Sequence, residues 1–252
     1  MRVNIVIPAR LESKRFREKP LKKILGVPMV IRVANICEKV LKKKNIFIAT
    51  DSKKISSLAK KNGFNFIITS KKCLTGTDRV GEAISKIKGE IFINVQGDEP
   101  LIKPNDVKKI INAKIKNKDK VICGYTKIKN NEKPNSNSIP KVVFNEKSEL
   151  IYISRSLIPG SKEKVKNYFK QVCIYGFSRS ELRDFTKFKK KGKLESIEDI
   201  EILRFFEFNK KILMVKTTNN SVAVDYPKDI KIVENRLIKN EKVRGLSKKD
   251  IW

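Results

Sequence analysis

Two neighbouring acids, Asp98 and Glu99, are the residues of this sequence best placed to do chemistry. They close a stretch that begins at Ile91 and is apolar at nearly every position until it reaches Gly97-Asp98-Glu99-Pro100. Such a run predicts a strand covered on both faces, as in a parallel sheet. Ligands bind beyond the carboxyl ends of strands in open parallel sheets, so we expect these acids to face a ligand. The alternative is a polar loop that only ends a core strand.

A dense group of cations follows the first predicted strand. Residues 3–9 are nearly all apolar, and five Lys or Arg residues lie between Arg10 and Lys19. The sequence contains neither a G-x-G-x-x-G fingerprint nor a Walker A motif. A phosphate site can instead be built from side chains, because Arg grips phosphate oxygens in pairs and Lys adds a point charge. The loop therefore predicts a polyphosphate site or, alternatively, a flexible basic loop.

A third candidate is the turn Thr75-Gly76-Thr77-Asp78-Arg79, which leads into a helix predicted from about Val80 to Ile87. We predict that Thr77 caps this helix, whose free amides can receive an anion or a base edge. The alternative is a capped helix without a ligand.

The sequence contains no histidine, which excludes Ser-His-Asp and Cys-His catalysis and any imidazole base. Chemistry must rest on carboxylates, Lys, Arg, Tyr, hydroxyls or a metal ion. The four cysteines lie far apart and form no C-x-x-C pair, so neither a zinc ribbon nor a thioredoxin site is predicted.

The net charge of +31 is typical of proteins that bind nucleic acid or an anionic membrane. However, the lysines are spread along the whole chain, whereas a nucleic-acid footprint concentrates on one face. We therefore expect acidic substrates and no nucleic-acid partner. No signal peptide opens the sequence, and no apolar run approaches the ~20 residues of a membrane span, which predicts a cytoplasmic protein with no membrane partner.

Alternating strands and helices must position these residues. The pattern is typical of an α/β protein with a doubly wound, mostly parallel sheet. The predicted elements are strands at 3–9, 45–50, 66–68, the stretch from Ile91, and 121–125, with helices at 29–41, 52–62, 80–87 and 105–115.

The pattern changes after a polar, proline-containing loop or lid at 130–139. Short strands at 142–144, 151–154 and 171–177 and helices at 182–188 and 197–208 indicate a second, smaller mixed α+β region. A strand at 212–217 follows. Val224-Asp225-Tyr226-Pro227 then repeats the apolar-Asp-Pro pattern, and a helix at 228–237 precedes a basic tail that ends at Trp252.

The sequence resembles the 3-deoxy-manno-octulosonate (Kdo) cytidylyltransferases over nearly its whole length. Asn94 to Pro100 is the most specific match. The other matching motifs are Ile7-Pro8-Ala9-Arg10 with Ser13, Arg15 and Lys19-Pro20-Leu21; Gly26 with Pro28-Met29; Ala49-Thr50-Asp51; Gly76-Thr77-Asp78-Arg79; Ser154-Arg155 with Ile158-Pro159; Ile174-Tyr175-Gly176; Leu194-Glu195 with Glu198, Glu201 and Leu203-Arg204; and Val224-Asp225 with Pro227 and Asp229.

This resemblance implies a fold like that of the nucleotide-diphospho-sugar transferases and a reaction that joins CTP to an acidic 3-deoxy sugar. The products would be a CMP-sugar for lipopolysaccharide synthesis and pyrophosphate. Asp98 and Asp225 look like the ligands of Mg²⁺, the implied cofactor, which proteins hold by one or two carboxylates together with substrate phosphates. The catalytic residues implied are Arg10, Arg15, Lys19 and Asp98.

The resemblance also divides the single predicted domain, 1–252, into two parts. A nucleotide-binding part covers about 1–128 plus 212–240, and a sugar-binding and dimerisation part covers about 140–210. A homodimer is expected through roughly 142–177. The nucleotide-binding residues implied are Arg10, Ser13, Arg15, Lys19, Thr75, Gly76 and Arg79, and the sugar-binding residues implied are Gln96, Arg155, Gln171, Tyr175 and Glu201.

The sequence departs from the usual family pattern at four places. Arg17-Glu18 replaces the Pro-Gly that is common in the first loop of the family. Cys73 and Thr75 stand where the family commonly has a His followed by Ser-Gly-Thr, and Tyr226 replaces the usual Thr after the implied metal-binding Asp. Gln171 stands where many members have a sugar-side His. Gln171 is compatible with a changed sugar, the 8-amino analogue of Kdo, or with simple replacement, since Gln donates and accepts hydrogen bonds as neutral His does. Two rival interpretations are a cytidylyltransferase for a nine-carbon sialic-type sugar and a basic nucleic-acid-binding protein.

Overall fold

The computed structural model describes residues 1–13, 15–163, 167–218 and 222–242. Lys14, one of the five cations of the first loop, and the basic tail from residue 243 to Trp252 lie outside the described residues. The strands are β1 (Val3–Ala9), β2 (Lys23–Ile24), β3 (Val27–Pro28), β4 (Ile46–Thr50), β5 (Asn65–Ile68), β6 (Ile91–Val95), β7 (Val121–Lys127), β8 (Lys141–Phe144), β9 (Leu150–Ser154), β10 (Phe169–Ser178) and β11 (Ile212–Lys216). The helices are α1 (Met29–Glu38), α2 (Lys53–Lys61), α3 (Gly76–Ala83), α4 (Pro104–Lys116), α5 (Arg179–Lys187), α6 (Lys193–Glu198) and α7 (Pro227–Lys242), with 3₁₀ turns at Lys19–Leu21, Lys43–Asn45, Ile84–Lys86 and Glu201–Phe208.

A nine-stranded sheet forms the centre of the molecule. Its main path runs in the order β11-β7-β10-β6-β1-β4-β5, and the β8–β9 hairpin joins it through β10. The strands β6, β1, β4 and β5 are mutually parallel, and so are β7 and β11. The predicted α/β fold with a core of parallel strands is therefore confirmed, but the sheet as a whole is mixed, because β10 and the β8–β9 hairpin pair antiparallel.

Alternation along β1 shows why both faces of this sheet are covered. Ile5 and Ile7 pack with α1, α2 and α4 on one side, whereas Val6 packs with α3, α5 and the 3₁₀ segment Glu201–Phe208 on the other. All five residues of β6 are buried. Apolar side chains on both faces are what a strand between two helical layers requires.

The strand predicted at 171–177 does not belong to a separate second region. It is β10, which runs antiparallel between β6 and β7 in the central sheet. A local apolar pattern predicts that a strand is buried but carries no information on which neighbours it pairs with. This correction brings Gln171 and Tyr175 next to the end of β6.

The helix predicted at 197–208 is also wrong as a single element. The segment forms α6, a break at Asp199, and then the 3₁₀ segment Glu201–Phe208. Asp199 has φ 50°, the left-handed conformation that ends a helix and that Asp tolerates better than most residues.

Helix α3 begins at Gly76 rather than near Val80, and its cap is Thr75 rather than Thr77. The Thr75 hydroxyl accepts from the backbone N–H of Asp78 at 3.1 Å, and the Asp78 carboxylate accepts from the backbone N–H of Thr75 at 2.9 Å. This reciprocal capping box places the cap two residues before the predicted one. Helix α1 likewise ends at Glu38, short of the end predicted at residue 41.

Lys114 on α4 provides a test of the packing. Its ammonium group is fully buried and lies 2.8 Å from the carboxylate of Glu181. We expect Lys114→Met to lower the free energy of unfolding by about 3 kcal/mol or more, because it leaves Glu181 buried without its cation. Urea unfolding measures this loss, and Lys116→Met, at an exposed position of the same helix, is the control. A loss similar to that of the control would contradict the buried pair.

Candidate active site

A cavity of about 320 Å³ opens at the carboxyl ends of β1 and β6. It brings together every site residue that the family resemblance implied, from well-separated stretches of the chain. Glu99, which the sequence also predicted to face a ligand, is instead buried and is not among the lining residues. The lining includes Arg10, Ser13, Arg15, Lys19, Thr75, Gly76, Arg79, Gln96, Asp98, Arg155, Gln171, Tyr175, Glu201 and Asp225. The rule that ligands bind beyond the carboxyl ends of parallel strands therefore located the cavity correctly.

Lys19 stands at the centre of the acidic part of the cavity. Its ammonium group lies 2.6 Å from the Asp98 carboxylate and 3.8 Å from the Asp225 carboxylate, and it donates to the carbonyl oxygen of Val224 at 2.8 Å. Asp98 follows the end of β6, and Asp225 precedes α7. The two acids, distant in sequence, thus face one cation.

Arg15 supplies a second cation to Asp225. Its guanidinium group lies 2.9 Å from the Asp225 carboxylate and above the ring of Tyr226, 5.6 Å from the ring centroid. Asp229 in turn accepts the backbone N–H groups of Asp225 and Tyr226 at 2.9 and 2.8 Å, which fixes the start of α7. Asp225 is therefore held from both sides.

The donor set of Asp98 and Asp225 fits a hard divalent cation. Both carboxylates and the Val224 carbonyl oxygen point towards a single positive group, the Lys19 ammonium. Within the described parts of the chain no three His, Cys, Asp or Glu residues gather as a closed metal site. An open pair of carboxylates is what Mg²⁺ uses when substrate phosphates complete its shell.

The turn at the start of α3 lies against the loop that follows β6. A Cβ atom at Gly76 would fall 2.7 Å from the amide nitrogen of Gln96, so a side chain at this position would displace the end of the Gln96 side chain. Arg79, predicted to bind nucleotide, is buried and donates to Asp51 at 2.9 Å and to Thr69 at 2.5 Å. Because Asp51 also accepts the backbone N–H of Leu11 at 3.1 Å, Arg79 positions the start of the cationic loop.

Glu201 links this turn to the β6 loop. Its carboxylate accepts the backbone N–H of Thr77 at 2.9 Å and the side-chain amide of Gln96 at 2.8 Å. Burial raises the pKa of Glu201 above its ordinary value. Sequence reasoning that treated Glu201 as one acid on an exposed helix face would have missed this contact, which depends on the break at Asp199.

Gln171 and Tyr175 form a polar pair on β10. The Gln171 amide donates to the phenol oxygen of Tyr175 at 3.1 Å, and both residues are buried. Burial raises the pKa of Tyr175 well above its ordinary value, so the phenol stays protonated at neutral pH and can donate as well as accept.

Arg155 is held entirely by oxygen atoms of the protein. Its guanidinium group donates to the carbonyl oxygens of Glu198, Asn137 and Asp199 at 2.6, 3.0 and 3.1 Å. The Glu198 carboxylate accepts the Arg155 backbone N–H at 2.8 Å. A guanidinium group has five N–H donors, so this fixed fork keeps donors available for a carboxylate.

Sequence reasoning missed several lining groups. Lys191 and Asp199 form an ion pair of 2.6 Å at the cavity, and the thiols of Cys73 and Cys173 also line it. Lys191 lies in the basic run at 187–193, whose composition gave no signal that one member faces inward.

The sequence and the fold are both similar to those of known cytidylyltransferases. The family model described as Cytidylyltransferase matches residues 4–212. A 3-deoxy-manno-octulosonate cytidylyltransferase of a Nitratiruptor species is 39% identical over 234 residues, covering 90% of this chain and 96% of the relative.

Two further relatives agree. An 8-amino-3,8-dideoxy-manno-octulosonate cytidylyltransferase of Shewanella pealeana is 34% identical, covering 94% of this chain and 99% of the relative. A solved structure of a CMP:2-keto-3-deoxy-manno-octonic acid synthetase complexed with CTP superposes with a TM-score of 0.86 at 30% identity, covering 95% of this chain and all of that chain.

The Cys73 thiol gives a test of the electrostatics at the cavity. Burial, followed by a hydrogen bond of 3.2 Å to Glu82, raises the pKa of Cys73 to about 12. Since the thiolate is the nucleophile, we expect alkylation of Cys73 by iodoacetamide to rise about tenfold per pH unit between pH 7 and 10 without levelling off. Peptide mass spectrometry after brief labelling measures the rate. Glu82→Gln should speed labelling at each pH, and a plateau near pH 9 in the unmodified protein would contradict the raised pKa.

Proposed function

The chain belongs to the cytidylyltransferase family, and from this premise we propose its reaction. Its relatives are named as cytidylyltransferases for 3-deoxy-manno-octulosonate or for its 8-amino analogue. It transfers CMP from CTP to the anomeric hydroxyl of Kdo or a close analogue and releases pyrophosphate. The activated sugar would supply lipopolysaccharide synthesis. A cytoplasmic location and a homodimer through 142–177 stay predictions.

One observation carries the proposal: the cations of the first loop and two carboxylates from distant parts of the chain meet in one cavity with the sugar-side residues. CTP brings three phosphates, which suit Arg10, Arg15 and Lys19. The acids Asp98 and Asp225 lie at the same place, where charge on the reacting phosphate must be neutralised.

The reaction is an in-line displacement at phosphorus. The anomeric oxygen of the sugar forms a bond to the α-phosphorus, the bond from that phosphorus to the bridging oxygen breaks, and pyrophosphate leaves with the bonding electrons while the hydroxyl proton passes to solvent water. Arg15 and Lys19 would stabilise negative charge on the phosphates. Mg²⁺ held by Asp98 and Asp225 would act as a Lewis acid for the phosphoryl oxygens and favour the ionised form of the hydroxyl.

The sugar end of the cavity suits a polyhydroxylated acid. Arg155 offers its remaining donors to the sugar carboxylate, because three backbone carbonyls already fix its guanidinium plane. Gln96, Tyr175 and Gln171 offer donors and acceptors for hydroxyl groups. With no histidine in the sequence, the anomeric hydroxyl has no imidazole base.

The 8-amino analogue of Kdo is the second candidate substrate. Relatives from Shewanella carry that name at identities close to those of the Kdo enzymes. Gln171, which departs from the family pattern that the sequence resembles, is compatible with this changed sugar. A sialic-type nine-carbon sugar is less well supported, since the Gln-Gly-Asp-Glu-Pro and Ile-Ser-Arg-x-x-Ile-Pro contexts occur together here.

We expect the purified protein to release pyrophosphate from CTP when Kdo or its 8-amino analogue and Mg²⁺ are present. A coupled pyrophosphate assay, run with each sugar separately and with N-acetylneuraminate as a third sugar, measures the rate. Omitting Mg²⁺ should abolish the signal, and adding a chelator should do the same. No release with either Kdo or its 8-amino analogue would overturn the proposed function, whereas release with N-acetylneuraminate alone would assign the sialic-type reaction.

We expect Asp98→Asn and Asp225→Asn each to lower kcat roughly 100-fold or more, because each removes a negative ligand worth several kcal/mol at the transition state. Both variants should remain folded by circular dichroism. Asp119→Asn, at an exposed position away from the cavity, is the matched control and should keep the rate of the unmodified protein. Unchanged turnover in either cavity variant would show that the metal assignment is wrong.

A further inference from the structure

Arg204 is a fully buried cation beside the cavity, and the proposed chemistry does not use it. Its side chain has no exposed surface and stacks on Phe185, with 3.9 Å from the guanidinium carbon to the ring centroid. It donates to both oxygens of Glu195 at 2.6 and 2.7 Å and to both oxygens of Asp78 at 2.7 and 3.0 Å. The two carboxylates raise the pKa of Arg204, although burial alone would lower it.

The Asp78 side of this contact shapes the turn proposed to meet the nucleotide. The Asp78 carboxylate also accepts the backbone N–H of Thr75 at 2.9 Å and the Thr75 hydroxyl at 2.7 Å. Thr75 and Gly76 line the cavity. The direction in which this turn presents its amides therefore depends on where Arg204 holds Asp78.

The Glu195 side of the contact shapes the segment proposed to meet the sugar. Glu195 accepts the backbone N–H of Gly192 at 2.9 Å and so fixes the start of α6. The other end of α6 carries Glu198, whose carboxylate and carbonyl oxygen hold Arg155. Arg204 itself lies in the same 3₁₀ segment as Glu201.

We propose that Arg204 is a positioning residue that couples the two substrate sites, so that nucleotide bound at the Thr75 turn raises the affinity of the α6 segment for the sugar. The inference rests on the proposed function. Arg204 touches neither substrate and acts through Asp78 and Glu195. Binding that orders either the Asp78 or the Glu195 carboxylate also orders the other, because both carboxylates share the guanidinium group of Arg204.

The geometry explains why arginine is needed at this position. Two carboxylates grip one planar fork from two sides through four hydrogen bonds, which an ammonium group with three donors cannot reproduce. Removing either carboxylate leaves part of the buried Arg204 guanidinium group without a partner, so the positions of Asp78 and Glu195 depend on each other. Coupling between ligand sites is reciprocal, and the same linkage must appear whichever substrate binds first.

A purely structural role is the competing explanation, and affinity ratios separate the two. Calorimetry would give the Kd of cytidine 5′-(α,β-methylene)triphosphate, which cannot be cleaved, with and without saturating Kdo and with Mg²⁺ throughout. We expect the unmodified protein to bind the nucleotide about fivefold or more tightly when Kdo is present. Arg204→Lys and Glu195→Gln should bring this ratio close to one.

Glu181→Gln is the matched control, because it disrupts another buried ion pair, with Lys114, outside the cavity lining. It should lower stability and keep the ratio of the unmodified protein. If Arg204→Lys fails to fold, Glu195→Gln carries the test. A ratio of one in the unmodified protein, or an unchanged ratio in Glu195→Gln, would overturn the coupling while the proposed function stands. Failure of the unmodified protein to bind either ligand would overturn the proposed function itself.

Discussion

The ammonium group of Lys19 contacts groups from widely separated parts of the chain, and the arrangement of the cavity depends on it. It lies against Asp98 after β6 and against the Val224 carbonyl oxygen and Asp225 before α7. Two carboxylates that face one small cavity repel each other unless a cation lies between them. The requirement for positive charge at this point explains why the basic loop after β1 folds back over the sheet edge, where Arg15 adds a second contact to Asp225.

A second constraint comes from the segment that runs from α6 into the 3₁₀ turn. The left-handed residue Asp199 interrupts what would otherwise be a continuous helix. The interruption turns the carbonyl oxygens of Glu198 and Asp199 towards Arg155 and lets Glu201 reach the amide of Thr77. The local departure from helical geometry therefore assembles the side of the cavity that carries Arg155 and Glu201, while the fully buried Arg204 holds the segment against α3. Within the described ranges no helix is long and apolar enough to cross a membrane.

Much of this arrangement could be predicted from the sequence, because its main determinants are local or topological. The apolar runs of β1 and β6 predicted strands buried on both faces, and the rule for parallel sheets placed Asp98 at the cavity. The partners of Arg79 and Arg155 could not be predicted, since they are carbonyl and carboxylate oxygens supplied by distant loops. The position of β10 in the sheet was equally hidden, because an antiparallel strand between two buried neighbours has the same apolar pattern wherever it pairs. Thr75 was missed as a cap because Thr77 offers the same hydroxyl two residues later.

In the proposed site, Asp98 and Asp225 share a divalent ion, and the cations of the first loop bind the phosphates of a nucleoside triphosphate on the opposite side. Crystals soaked with Mn²⁺ and the α,β-methylene analogue of CTP would test it by anomalous scattering, which locates the ion independently of any activity. We expect one peak at about 2.1 Å from oxygen atoms of both carboxylates, with triphosphate oxygens on the same ion and the Lys19 ammonium on the phosphates. A peak bound by neither acid, or a triphosphate seated away from Lys19, would contradict it.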